Sequence, residues 1–238
     1  MNEKELKTSP KQRIIISLIA VVMLGSIIAS YAAIIINGNK TSGSTSTKIP
    51  EDKIAQYESE YKEVLEKFKT ATKDDFGRFI RYKGEIKAYN ETAANEGTVV
   101  TKDLEIGDGK ELTAGDSDYY AYYVGWCADE TIFDSSFDDK NDPQAFGKIL
   151  DASLGMIEGW ATGVVGMHIN GIRVITIPGS LAYGNSMEIC GGYNKPLKFL
   201  VMTKNKSEAR TKMATELDTA FNRYQYAAVY GIDYDAQF

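Results

Sequence analysis

Histidine, cysteine and proline are scarce in this chain: one, two and five among 238 residues. So little imidazole and thiol excludes zinc ribbons, zinc fingers and iron–sulfur centres, because four soft or nitrogen ligands cannot be gathered. Hydrolysis through a nucleophile and a histidine would rest on His168 alone, and no Gly-x-Ser-x-Gly elbow or partnered acid accompanies it. Excess positive charge is missing as well. Of 27 basic and 33 acidic groups, four and two fall in residues 1–13 and none in 14–36, so the remainder carries a net charge of −8. An acidic globular part argues against nucleic-acid binding as its main business. The GDGK stretch at 107–110 lacks the glycine spacing and the Ser/Thr of a phosphate loop and reads as a turn. Asp138, Asp139 and Asp142 miss the spacing of a calcium loop and read as a solvated cluster. Neither a metal nor a cofactor is called for, and no internal repeat is visible.

What the sequence does contain is a long apolar run. Residues 14–36, IIISLIAVVMLGSIIASYAAIII, carry no charge over 23 positions. At about 1.5 Å per residue the run reaches roughly 34 Å, enough to cross bilayer hydrocarbon. A cleaved signal peptide is the alternative, since Ser30, Tyr31 and Ala32 resemble a cleavage site, but the run continues through Ile36. Basic residues crowd its N-terminal flank, so residues 1–13 are expected in the cytoplasm and everything after 36 outside the membrane. In that compartment disulfides are permitted. Cys127 and Cys190 are the available pair, and two buried free thiols are the competing arrangement.

Residues 37–50, Gly/Ser/Thr-rich and polar, read as a flexible linker, and Asn39, Asn90 and Asn205 begin sequons that mark polar surface. A helical segment is expected in 51–96. It opens with Glu51 and Asp52 after Pro50, and its seam runs through Ile54, Tyr57, Tyr61, Val64, Phe68 and Ala71. The seam suits packing on the chain's own domain, or weak self-association through 51–72; it is too short to specify a coiled coil. A C-terminal helix is expected in 207–238, capped by Ser207, with Met213, Leu217, Ala220, Phe221 and Tyr224 on one face. The two helices have faces that can pair.

Between them, 97–206 changes to strand character. The segments 98–106, 118–125, 171–177 and 196–203 are rich in β-branched and aromatic residues and bounded by Gly, Asp, Asn or Pro. In 172–177 both alternating faces are largely apolar, as in a strand covered on both sides. One short helix from Glu158 would place Trp160, Val164 and Met167 on a face inside the sheet's concavity. The expected class is α+β: antiparallel sheet around one helix, with a transmembrane helix and two amphipathic helices flanking it.

Five segments, YYVGW (122–126), IFDSS (132–136), GMIEGWATGVVGM (155–167), RVITIPGSLAYG (173–184) and PLKFLVM (196–202), occur in an order and spacing that resemble the FKBP-type peptidyl-prolyl isomerases. The resemblance covers 97–206 and implies a twisted antiparallel sheet wrapped around a short helix. It also implies an aromatic substrate pocket at Tyr123, Phe133, Trp160 and Phe199, with Trp160 as its floor and Met156 on the loop entering the helix. Asp134 would be the buried acid, Tyr183 a hydroxyl donor to the bound peptide and Ile157 a backbone N–H donor to a substrate carbonyl. Phe146 matches a further pocket aromatic, and Lys140 is the basic group nearest Asp134 in sequence. One departure lies in NSMEICGGYNKP (185–196), polar and one residue shorter than the family's apolar loop; it bears on the pocket's outer wall and on macrolide binding. Cys190 lies in that loop and Cys127 begins the neighbouring hairpin, so a bond between them would hold the loop in place of apolar packing.

The activity so implied is rotation of X-Pro bonds in proline-containing polypeptides exported across the membrane. Amide resonance sets a barrier of about 18–20 kcal/mol, and a dry aromatic pocket favours the twisted amide, in which charge separation is smaller. A millionfold acceleration corresponds to roughly 8 kcal/mol. The alternative is an FKBP-like binding module with little turnover. As bare residues, the aromatics could equally form a plain core, and Asp134 could cap a turn.

Overall fold

A computed structural model describes residues 49–136 and 150–236. The basic tail, the apolar run 14–36 and the linker up to 48 fall outside the described residues, as do Asp138, Asp139, Lys140, Asp142 and Phe146. Among the described residues no helix is long and apolar enough to cross a membrane.

Helix α1, Glu51–Phe79, starts from Pro50 as N-cap, where a fixed φ of −60° and a missing N–H cost nothing. It outlasts the expected seam because apolar residues continue at Phe76 and Phe79. Tyr57 and Phe68 are buried as expected, but Ala71 is exposed and Thr72 takes the buried place, its hydroxyl donating to the Phe68 carbonyl at 2.7 Å. A strict seven-residue repeat drifts around a helix of 3.6 residues per turn, so the buried stripe moves on by one residue. A 3-10 turn, Ile80–Glu85, and a short helix α2, Glu91–Glu96, lead into the sheet. Asn90 caps α2 by accepting from the Ala93 N–H at 2.9 Å.

The sheet contains β1 Val100–Glu105, β2 Tyr119–Trp126, β3 Ile132–Ser135, β4 Leu150–Asp151, β5 Ile172–Ile177 and β6 Leu197–Asn205. Its order is β1-β5-β6-β2-β3, with β4 also on β2, and every pairing is antiparallel. The expected strands are all present. The short β3 and β4 have too few residues to show alternation in the sequence.

Period-two alternation sends β2 side chains to opposite faces. Tyr120, Tyr122, Val124 and Trp126 join Ile172, Val174, Leu200 and Met202 against Phe68, Phe76, Phe79 of α1 and Leu217 of helix α4, Glu208–Gln225. The two long helices pair along Tyr61, whose ring stacks on Tyr224 at 5.8 Å and meets Phe221 edge-on at 5.7 Å. Ser207 caps α4 as expected, accepting from the Arg210 N–H. The α1 seam is thus engaged within the chain. Buried Lys204 is neutralised by Asp75 of α1 at 2.7 Å, which also pairs with Arg210 of α4.

The other face holds helix α3, Glu158–Gly163. Gly159 and Gly163 make this approach possible: a Cβ on them would stand 2.1 Å and 2.4 Å from Ile177 and Ile175. The expected helix reaching Met167 is cut short. Val164 is its C-cap, Gly166 turns the chain at φ 77°, and Met167 is buried from beyond the helix end. Arg173, 4% exposed, takes up the orphaned carbonyls of Gly163 and Val165, both at 2.9 Å, while Asp103 of β1 holds its guanidinium with both oxygens.

Candidate active site

On the α3 side, β2 and β6 bring four aromatic rings together. Trp160 of α3 lies 5.3 Å from Phe199 and 5.8 Å from Tyr123, both edge-on, and Phe133 meets Phe199 edge-on at 5.6 Å. These T-shaped contacts set the positive edge of one ring against the negative face of another. Trp160 and Phe199 form the buried base, at 2% and 4% exposure. Phe133, Asp134, Met156, Ile157 and Tyr183 are half-buried.

Asp134, in β3, stands beside the buried Tyr123 phenol. One carboxylate oxygen accepts from the Tyr123 hydroxyl at 2.5 Å, the other from the Ser135 N–H at 2.9 Å, so the acid bonds its backbone neighbour and a phenol at once. Burial, and then the Asp134 charge, push the Tyr123 phenol well above its usual range. The same causes push Tyr183 up to about 12. Both phenols are therefore neutral donors at physiological pH. Among the described residues the Tyr183 hydroxyl has no hydrogen-bond partner. Nor does any described residue accept the Ile157 N–H, although the Ile157 carbonyl accepts from Trp160 and Ala161 at 3.0 and 3.1 Å. These two donors are uncommitted among the described residues.

His168 does not take part. Its Nδ1 lies 2.9 Å from the Gly109 carbonyl, at the turn predicted for 107–110.

The comparisons with known proteins address the same region. The family model of FKBP-type peptidyl-prolyl cis-trans isomerases matches residues 108–204. An FK506-binding protein of Neisseria meningitidis serogroup A is 37% identical over 91 residues, covering 37% of this chain and 76% of that protein. This chain belongs to the FKBP-type peptidyl-prolyl isomerase family. A peptidyl-prolyl cis-trans isomerase of Saccharomyces cerevisiae is 37% identical over 92 residues, 37% of this chain and 20% of that protein. The crystal structure of AtFKBP13 is 24% identical, covers 46% of this chain and 91% of that one, and superposes with a TM-score of 0.35.

The chain is thus an FKBP-type rotamase, and its isomerase domain holds several site-side residues that sequence reasoning missed. Tyr119, buried beneath the site, accepts the Trp160 indole N–H at 3.1 Å. Ser136 brackets Tyr123: its hydroxyl accepts from the Tyr123 N–H at 3.0 Å and its own N–H donates to the Tyr123 carbonyl at 2.8 Å. Gly125 leaves room for two rings, since a Cβ there would lie 2.5 Å from Phe133 and 2.9 Å from Phe199. All three lie in or beside the motif segments, but their spacing carries no sign of these contacts. The expected disulfide is present: Cys127 and Cys190 are bonded, with Cα atoms 5.5 Å apart, and join the β2–β3 hairpin to the loop between β5 and β6.

Proposed function

We propose that this FKBP-type isomerase speeds X-Pro rotation in exported polypeptides, acting as a folding helper outside the cytoplasm and anchored by residues 14–36. The reading of the site is carried by one observation: an apolar base of Trp160 and Phe199 adjoined by two uncommitted donors, Tyr183 and Ile157. A proline ring would sit on Trp160 between Tyr123, Phe133, Met156 and Phe199. There the amide would lose water and, with it, the medium that favours its charge-separated planar form. Ile157 N–H and Tyr183 hydroxyl would hold the flanking carbonyls, so that rotation occurs about the prolyl bond with the rest of the peptide fixed. Asp134 would act on the substrate by orienting Tyr123 and by the charge it places near Tyr183.

The location is supported by the Cys127–Cys190 bond, which persists in oxidising compartments, and by the basic flank before the apolar run. Two measurements test the reading. Isomerisation of a short X-Pro peptide by the full chain in detergent should fall about tenfold in Tyr183→Phe, the effect of one hydrogen bond. A rate equal to wild type removes Tyr183 from the site. Protease added to intact cells should digest residues 51–238; their protection would defeat the outward orientation.

A further inference from the structure

The segment between α1 and β1, outside the family match, runs along two loops of the isomerase domain. Ala88 N–H donates to Glu130 at 2.9 Å and Tyr89 N–H to the Ala128 carbonyl at 3.1 Å, which fastens the segment to the β2–β3 hairpin. The Trp126 indole N–H reaches back to the Lys87 carbonyl at 3.1 Å. The Tyr89 hydroxyl then donates to the Pro196 carbonyl at 2.8 Å, and Glu91 pairs with Lys195 at 2.6 Å. These last two grip the C-terminal end of the loop 178–196, which carries Tyr183.

Asn95 of α2 grips both ends of that loop at once. Its side-chain oxygen accepts from the Gly179 N–H at 2.7 Å, and its amide nitrogen donates to the Asn194 carbonyl at 3.2 Å. Inside the neck, Gly184 N–H donates to the Gly179 carbonyl at 2.8 Å and Asn194 N–H to the Gly184 carbonyl at 2.7 Å. One carboxamide therefore closes a ring of bonds through Gly179, Gly184 and Asn194, and Gly184 directly follows Tyr183. The neck is tight: a Cβ on Gly179 would lie 2.1 Å from the Asn194 carbonyl oxygen, and Asn194 itself sits at φ 53°. A backbone held in that region needs its surroundings to keep it there.

We propose that Asn95 is a positioning residue for the isomerase reaction: from outside the family domain, its carboxamide clamps the neck of the 178–196 loop and so sets where the Tyr183 hydroxyl meets the peptide. The inference rests on the role given above to Tyr183. A donor that holds the peptide equally before and during rotation affects KM rather than kcat. Loss of the clamp is accordingly read in KM.

The test is a cycle of Asn95→Ala and Tyr183→Phe in the full chain, assayed on a short X-Pro peptide. Asn95→Ala should raise KM about fivefold to tenfold and leave kcat within twofold, but cost less than twofold in the Tyr183→Phe background. Asn95→Asp, which keeps the acceptor for Gly179 and loses the donor to Asn194, should fall between Asn95→Ala and wild type. Amide exchange at Gly184 and Asn194 should quicken at least tenfold in Asn95→Ala, with the β2 amides unchanged. An unaltered KM in Asn95→Ala, or an equal loss in both backgrounds, overturns the proposal while leaving Tyr183 in its role. A Tyr183→Phe variant with the wild-type rate removes that role and this inference with it.

Discussion

The two faces of β2 are built from the same kind of residue and are put to different uses. Tyr120, Tyr122 and Trp126 lie under α1 and α4, where Tyr122 meets Phe76 at 4.6 Å, the Tyr120 hydroxyl donates to Thr211 at 3.1 Å and the Trp126 indole N–H to the Lys87 carbonyl at 3.1 Å. Tyr119 and Tyr123, one residue out of phase, face α3, where each phenol oxygen has a directed hydrogen bond, to Trp160 and to Asp134. Aromatic content alone does not make a site. Both faces carry edge-on rings and oriented polar atoms; what differs is cover, since two long helices roof one face, while Phe133, Asp134, Ile157 and Tyr183 on the other stay half-buried.

That contrast can be broken by uncoupling stability from turnover. Phe68→Ala on the helix-covered face should cost about 3–5 kcal/mol of stability, as for a buried aromatic truncated in a close-packed core. Chemical denaturation measures this, and kcat/KM per folded molecule should stay within twofold. A tenfold loss of activity would show that the faces are not independent. Replacing both Cys127 and Cys190 by Ser should lower the denaturation free energy by about 4 kcal/mol, from the chain entropy released by a sequence separation of 63 residues. Because this bond ties the Tyr183 loop to the hairpin, kcat/KM should fall as well, unlike in Phe68→Ala.

Asp134→Ala sharpens the comparison on the site face. It leaves the buried Tyr123 hydroxyl without this acceptor, costing about 1–3 kcal/mol of stability, and it removes the group that orients this phenol, so kcat/KM should drop on the order of tenfold, as for one lost oriented hydrogen bond. An unchanged rate would leave Asp134 a structural role only. The smallest effect concerns pH. With Tyr183 pushed up to about 12 and Tyr123 also raised, neither phenol ionises between pH 6 and 9, and their contribution to the rate should be flat there. Their folded values lie above the unfolded tyrosine value near 10, so the stability they contribute is complete below pH 10 and lost as pH rises toward 12. Stability measured across that range should fall, and fall less in Tyr183→Phe.

Long, strongly patterned elements were legible from residues alone. The β2, β5 and β6 strands, the Ser207 cap and the amphipathic faces of α1 and α4 all follow from local periodicity and capping chemistry. The extent of α3 was not, because its early end comes with the Gly166 turn and with Arg173 of β5, which takes up the Gly163 and Val165 carbonyls from across the fold. Ala71 was misread for a different reason: a seam drawn in strict steps of three and four drifts around a helix of 3.6 residues per turn, which brings Thr72 to the buried place instead. The order of the motif segments brought Trp160, Phe199, Tyr123, Phe133 and Asp134 forward, and the fold gathers them.

By itself the sequence determined the family, through the order and spacing of five segments, and excluded zinc and iron–sulfur ligand sets through its scarcity of imidazole and thiol. It also determined which cysteines were available to pair, since there are two. Tertiary structure alone decided that Tyr119 steadies Trp160, that Gly125 clears space for two rings and that Asn95 holds the neck of a loop some 84 residues further along. These depend on contacts between distant parts of the chain, and a hydrogen-bond partner brought close by folding leaves no period, cap or composition by which it can be read in advance.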